Sequence, residues 1–261
     1  FVKVSGYTTV KTQAKNDVVI ESIQDSIKTQ INETRLSHYD VDQVATVGDA
    51  YWVQLNIPRA TLIQETEKSH AISNHELNEN FNTFKDSSTL RKYMLTAGLT
   101  ADIEKAVTGW ILLQALNPSL TNIDLDKTYS NYRASLREAR QTLSFSIQHS
   151  PDTQSFADNL VALISKESIT AKRTNRSKNN SLIKITGQYK IFNQFDQNQV
   201  QADVTITVFD ERGELIAERQ HSLVGSSVIS ITSAKRAAAR QLADQFEEHG
   251  VLESLGIINK I

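Results

Sequence analysis

No cysteine occurs in the 261 residues, which removes disulfides, thiolate catalysis and cysteine-ligated zinc together. The same absence leans towards export, since a cytosolic protein of this size usually carries a free thiol. An excess of charge of one sign is missing too. The chain has 28 basic and 30 acidic residues, so no global field draws it onto nucleic acid or an anionic membrane, and any such binding needs a local patch. Long apolar runs are lacking: a stretch such as Trp110 to Leu113 is far short of the roughly 20 apolar residues that cross a bilayer. The nine glycines are scattered singly, and none forms the spaced cluster that lets backbone amides cradle a phosphate.

What is present is periodicity. Residues 2–10 are rich in β-branched side chains and alternate apolar with polar, as a half-buried strand does. In residues 13–34, Ala14, Val18, Ile23, Ile27 and Ile31 recur at helical spacing. Strands over 41–47 and 50–58 follow, joined by Gly48-Asp49, a hairpin turn. From Arg59 to about Ser165 the pattern is helical almost throughout, with breaks expected near Asp86, Gly98, Asn117-Pro118 and Ser150-Pro151. Within it, Tyr129, Tyr132, Leu136, Ala139, Leu143 and Ile147 give residues 125–149 the seam of one long helix. That helix should pack on the helices carrying Trp110 and Phe156.

Residues 166–180 are polar and basic, and read as a strand end plus an exposed loop. Strands resume over 182–192, 200–209 and 214–224, the last two joined by Asp210-Glu211-Arg212-Gly213 with glycine at the left-handed position. A helix from about Ser230 to His249 ends at Gly250, and its face of Ala234, Ala237, Ala238 and Ala243 suits close packing on a sheet. The class is α+β: a small antiparallel sheet with a packed helix at each end of the chain and a helical middle subdomain, divided as 1–85, 86–165 and 166–261.

The opening Phe-Val-Lys-Val-Ser-Gly-Tyr-Thr-Thr-Val and the strand from Gly48 through Trp52 to Arg59 resemble the LPP20 family of bacterial envelope lipoproteins over about residues 1–85. The resemblance implies a strand-helix-strand-strand unit running into a long helix. It also implies a periplasm-facing, outer-membrane-associated protein of a Gram-negative bacterium, in a family implicated in surface assemblies that include flagellar rings. No catalytic residues come with it. The C-terminal sheet, with Asp210, Gly213 and the alanine face, looks loosely like sheet domains of other secreted envelope proteins. The start at Phe1, with no initiator Met, is what an excised mature fragment would show.

Candidate chemistry is thin. His70 and His75 stand about 140° apart around a helix and cannot share a metal easily, and His75-Glu76 continues to Glu79 instead of a second histidine, which removes a zinc ligand. Gly225-Ser226-Ser227 lacks the second glycine of a nucleophile elbow. Asp124-Leu125-Asp126 lacks the further ligands of a calcium loop and reads as the acidic start of a helix. The sequons at Asn32, Asn175 and Asn179 matter only in a eukaryotic secretory route.

Lys172, Arg173, Arg176 and Lys178 are candidates for contact with an anionic partner, although no aromatic interleaves with them to stack bases, so no nucleic acid is expected. Trp52, Tyr129 and Tyr132 are the candidate partner-binding residues. The reading is of a non-enzymatic protein without metal or cofactor that docks to envelope proteins or to itself, and meets membrane only through an upstream anchor. Its rivals are a small-ligand binder or hydrolase with a cleft between the N-terminal unit and the helices, and a nucleic-acid module using the basic loop.

Overall fold

The computed structural model describes residues 40–47, 50–120, 123–174, 180–194 and 197–258. The expected first strand and first helix, the Gly48-Asp49 turn, the three sequons, and Arg176 and Lys178 lie outside the described residues. The chain is α+β. Strands β1 (Asp40–Val47) and β2 (Ala50–Asn56) pair antiparallel, with Val41 opposite Leu55 and Val47 opposite Ala50, as the hairpin reading requires.

Three helices follow: α1 (Arg59–Asp86), α2 (Thr89–Leu116) and α3 (Ile123–Thr142). No described helix is long and apolar enough to cross a membrane. Gly98 does not break α2. Leu99, Ile103, Ala106, Trp110 and Leu113 keep one buried stripe through its second half, while Gly98 itself is exposed with nothing near the place of a Cβ. The side chain of Arg59 donates through Nε to the Leu116 carbonyl at 3.1 Å, satisfying one of the last carbonyls of α2.

The long helix over 125–149 is corrected: α3 stops at Thr142 and residues 144–149 are a strand, β3 (Ser144–His149). Leu143 and Ile147 satisfy a period of four and a period of two alike. Phe145 between them, flanked by Ser144 and Ser146, fits only the second, and all three apolar residues are 0–2% exposed. Ser150 and Pro151 then open the next helix as expected. The Ser150 N–H donates to Thr153 Oγ1 at 3.1 Å across a single 3₁₀ turn (Pro151–Thr153), followed by α4 (Gln154–Lys166).

The rest is β4 (Thr170–Arg173), β5 (Ser181–Gln194), β6 (Gln197–Phe209), β7 (Leu215–Ser227), α5 (Ile231–His249) and the short α6 (Val251–Ser254). The sheet order is β4-β3-β5-β6-β7. It is mixed instead of antiparallel throughout, because α4 carries the chain back so that β4 lies parallel to β3, and β5 also runs parallel to β3.

Contacts gather the chain into two units. One holds the described residues up to Thr83 together with Gly98–Ala134; the other holds Phe84–Ala97 together with Ser135–Ile261. Helix α4 therefore packs in the unit of the sheet, not on the helix of Trp110: Phe156, Leu160 and Ile164 join Phe145, Ile147, Ile185 and Ile206 in one core. Helix α5 closes the same core with Ala238, Leu242 and Phe246. It lies very close on β7. A Cβ on Gly225 would fall on the Ala234 carbonyl and 2.5 Å from the Ala238 nitrogen, so only glycine permits this approach. Ser230 caps α5 by accepting from the Ser233 N–H at 3.1 Å, and Gly250 ends it at φ 88°.

Candidate functional site

The helical unit buries a line of polar side chains. His70, Asn74 and Asn78 recur every fourth residue along α1, and each finds its partner on α3. The Tyr129 hydroxyl donates to Asn74 Oδ1 at 3.2 Å. Its one proton being used, it accepts from His70 Nε2–H at 3.0 Å, which fixes the histidine tautomer. The Tyr132 hydroxyl donates to Asn78 Oδ1 at 2.7 Å while its ring stacks on Phe81 at 3.9 Å. Trp110 on α2 donates through Nε1 to Asp126 Oδ1 at 3.1 Å, with the His70 ring tilted 5.9 Å from the indole. Asp126, read as an acidic helix start, is therefore also the acceptor that lets a tryptophan be buried.

Burial holds His70 below the ordinary histidine value and pushes Tyr129 up to about 12, helped there by Tyr132 and Asp126. Both groups are neutral at physiological pH. The line supplies hydrogen bonds that tie α1 to α3.

The sequence candidates divide accordingly. Tyr129, at 2% exposed, is a core residue that offers a partner no surface, and Tyr132 is half-buried on Phe81. Trp52 stands opposite Ala45 in the hairpin register, and its side chain lies outside the described residues. Lys172 and Arg173 are exposed on β4, where Arg173 is engaged by Asp158 at 2.8 Å. His75 is exposed and does not meet His70. Glu76 pairs with Lys105 at 3.6 Å on the surface.

In the sheet unit, one face is packed and the other is open and polar. Thr186, Gln188, Asp203, Thr205, Gln220 and Ser222 line a groove of about 480 Å³ across β5, β6 and β7. Asp203 accepts there from Ser222 Oγ at 2.7 Å. His221 faces the other way, against Phe246, and burial with the neighbouring Arg219 holds it below the ordinary value.

Strand β7 is the last in the sheet and pairs only with β6. The Val224 N–H turns away from β6 to the Gln241 side chain at 3.0 Å, so by the alternation of an antiparallel ladder the backbones of Ser222, Gln220 and Glu218 also face outward. These three residues are exposed.

One buried polar site escaped the sequence reading. Asp210, read as a turn residue, is only 2% exposed. Its Oδ1 accepts from the N–H groups of Arg212 at 3.0 Å and Glu214 at 2.8 Å, closing the turn that Gly213 completes at φ 85°. Burial alone would raise its pKa, but the hydrogen bonds from Glu214, Ser88 and Arg212 and the charge of Arg91 hold it below the usual carboxylate range. Beside it, Glu211 accepts from the backbone N–H of Thr89, Arg212 donates to the Asp86 carbonyl at 2.8 Å, and Arg91 meets Glu214 at 2.7 Å. The β6–β7 turn thus seats the start of α2, 122 residues away in sequence. The acidic turn was the available signal. Its partner was not, since nothing local links Glu211 to Thr89.

No family model and no curated protein matches the chain. Among solved structures it is similar to a minor lipoprotein from Acinetobacter baumannii, at 15% identity over 43% of this chain and 94% of that one, with a TM-score of 0.33. It is also similar to a lipoprotein from Neisseria meningitidis, at 12% identity over 41% of this chain and 99% of that one, TM-score 0.29. A Xanthomonas campestris protein of the family DUF330 matches at 13% identity over 44% of this chain and 84% of that one, TM-score 0.33. Likenesses of this extent and score carry no assignment of family or activity.

Proposed function

We propose that this is a non-enzymatic, envelope-associated protein, periplasmic and attached to the outer membrane, that docks to another envelope protein by adding one of that partner's strands to the open edge of β7. The compartment rests on the sequence: no cysteine, and the resemblance of residues 1–85 to LPP20 lipoproteins. The mode of docking rests on one structural observation, the outward-facing backbones of Glu218, Gln220 and Ser222 on a 13-residue edge strand. The opposite edge, β4, is only 4 residues long and offers far less ladder.

Gln220→Pro tests this directly, because proline removes an N–H that points away from β6 and so leaves the internal ladder intact. Cells expressing the full-length variant should lose the cross-linked partner seen with the native protein, with the protein still in the outer-membrane fraction and its melting temperature little changed. Unchanged cross-linking would sink the edge-docking reading, and recovery in the cytosol would sink the compartment. The groove of Thr186, Asp203 and Ser222 favours a second reading, a binder of small polar ligands. That reading predicts that a small polar ligand raises the melting temperature of the native protein and not that of Asp203→Ala.

A further inference from the structure

The end of the sheet where α5 begins exposes several apolar side chains. Val228 and Ile229, in the junction between β7 and α5, are 71% and 82% exposed. Val224 and Ile231 on either side are 60% and 37% exposed. The strand register brings the far end of the β5–β6 hairpin to the same place: Ile191 aligns with Val200 and Gly225, and Asn198 with Ser227. Ile191 and Phe192 there are themselves half-exposed. The ends of β5 and β7 therefore both carry exposed apolar groups at this end of the sheet, on either side of β6.

The segment that forms this end is basic. From Arg219 to Ala243 the chain has no acidic residue but carries Arg219, Lys235, Arg236 and Arg240. Lys235 is engaged, with Nζ 2.7 Å from Asp152 and 4.3 Å over the Tyr189 ring. Arg236 and Arg240 are exposed, lie four residues apart on one line of α5, and make no ion pair or hydrogen bond among the described residues. On β5, Lys190 stands two residues behind Phe192, only loosely held by Asp203 at 4.0 Å. Free cations set one to two turns behind an aliphatic tip match the layering of an anionic bilayer surface, where apolar groups enter the headgroup boundary and basic groups meet phosphate.

We propose that this end of the sheet binds an anionic lipid surface, with Val228, Ile229 and Phe192 entering the headgroup layer and Arg236 and Arg240 contacting lipid phosphates. A membrane contact in the folded body adds to any upstream anchor and departs from the expectation that an anchor alone meets the membrane. It is the local patch that a nearly neutral chain requires. A lipid surface suits the patch because two exposed arginines without ion-pair partners among the described residues stand behind its exposed valine and isoleucines, the pairing that an anionic headgroup layer takes. The proposal does not depend on strand addition at β7.

Co-sedimentation of the full chain with vesicles of equal parts phosphatidylglycerol and phosphatidylcholine tests it. The native protein should pellet with these vesicles, less so at high salt, and remain in solution with phosphatidylcholine alone. Arg236→Gln and Arg240→Gln should each weaken partition about fivefold. The pair Val228→Ser and Ile229→Ser should weaken it by about tenfold or more, with thermal melts confirming that each variant is folded. The proposal falls if the native protein ignores anionic vesicles, or if the folded double variants bind as well as the native chain. Loss of a protein neighbour in the serine pair, without vesicle binding by the native protein, would make the patch a protein contact and overturn the lipid reading.

Discussion

Removing one oxygen from Tyr129 strands two other side chains. The hydroxyl is the acceptor for His70 and the donor to Asn74, so Tyr129→Phe leaves both without that partner in a half-buried to buried setting. The expected loss is about 1–3 kcal/mol, measurable by urea denaturation, with little change in the slope of the transition. Asn78→Ala should cost less, because Tyr132 is half-buried and its hydroxyl can turn to water. None of this pairing was legible. The aromatic residues stood out in the sequence as anchors, yet the partners of Tyr129 lie 59 and 55 residues away on another helix, and no local pattern relates them. The alanine face of α5 was easier to read, since Ala234 and Ala238 recur at helical spacing and both are buried.

At the level of elements, the sequence was most informative where a turn residue or a cap enforces a boundary, and least where one apolar spacing serves two structures. Gly213, Ser230 and Gly250 marked the ends of β6, α5 and its stop because each conformation demands that residue type. Leu143 and Ile147 carried the expected helix into β3, since tertiary pairing with β4 and β5, not local propensity, decides the strand. Gly98 misled in the opposite direction: a glycine on the exposed side of a well-packed helix weakens it without ending it.

Gly225 has a different structural task, and a methyl group there tests how tightly α5 is held. Gly225→Ala should destabilise the sheet unit by about 1–3 kcal/mol or more through overpacking against Ala234 and Ala238. A matched variant at Gly213 would instead report backbone strain, as its φ is 85° and the space around it is empty. The two effects separate in crystal or amide-exchange data: the first should loosen α5, the second only the turn.

For the molecule as a whole, acid should be destabilising in two stages. His70 and His221 both titrate below the ordinary value of 6.5, chiefly through burial. The unfolded chain then binds protons before the folded one does, so stability is full above about pH 6.5 and declines as pH falls towards the folded values. Asp210 adds a second loss at lower pH. Its folded pKa lies below 3.8, so the stability it confers is present above that value and disappears as pH falls through the folded one. Melting temperatures across a pH series, repeated with His221→Gln, check the sign: the variant should show a shallower decline in the first stage only.

The turn between β6 and β7 has a practical consequence. A short, exposed-looking connection between two antiparallel strands is where a tag, a fluorophore loop or a new chain terminus would ordinarily be introduced. Here its residues serve a second owner, since Glu211 and Arg212 hold the backbone of Thr89 and Asp86 while Asp210 is sealed from water. A reporter inserted at that turn would fray the start of a distant helix, whereas the same insertion in the loop after α2 would disturb none of these bonds.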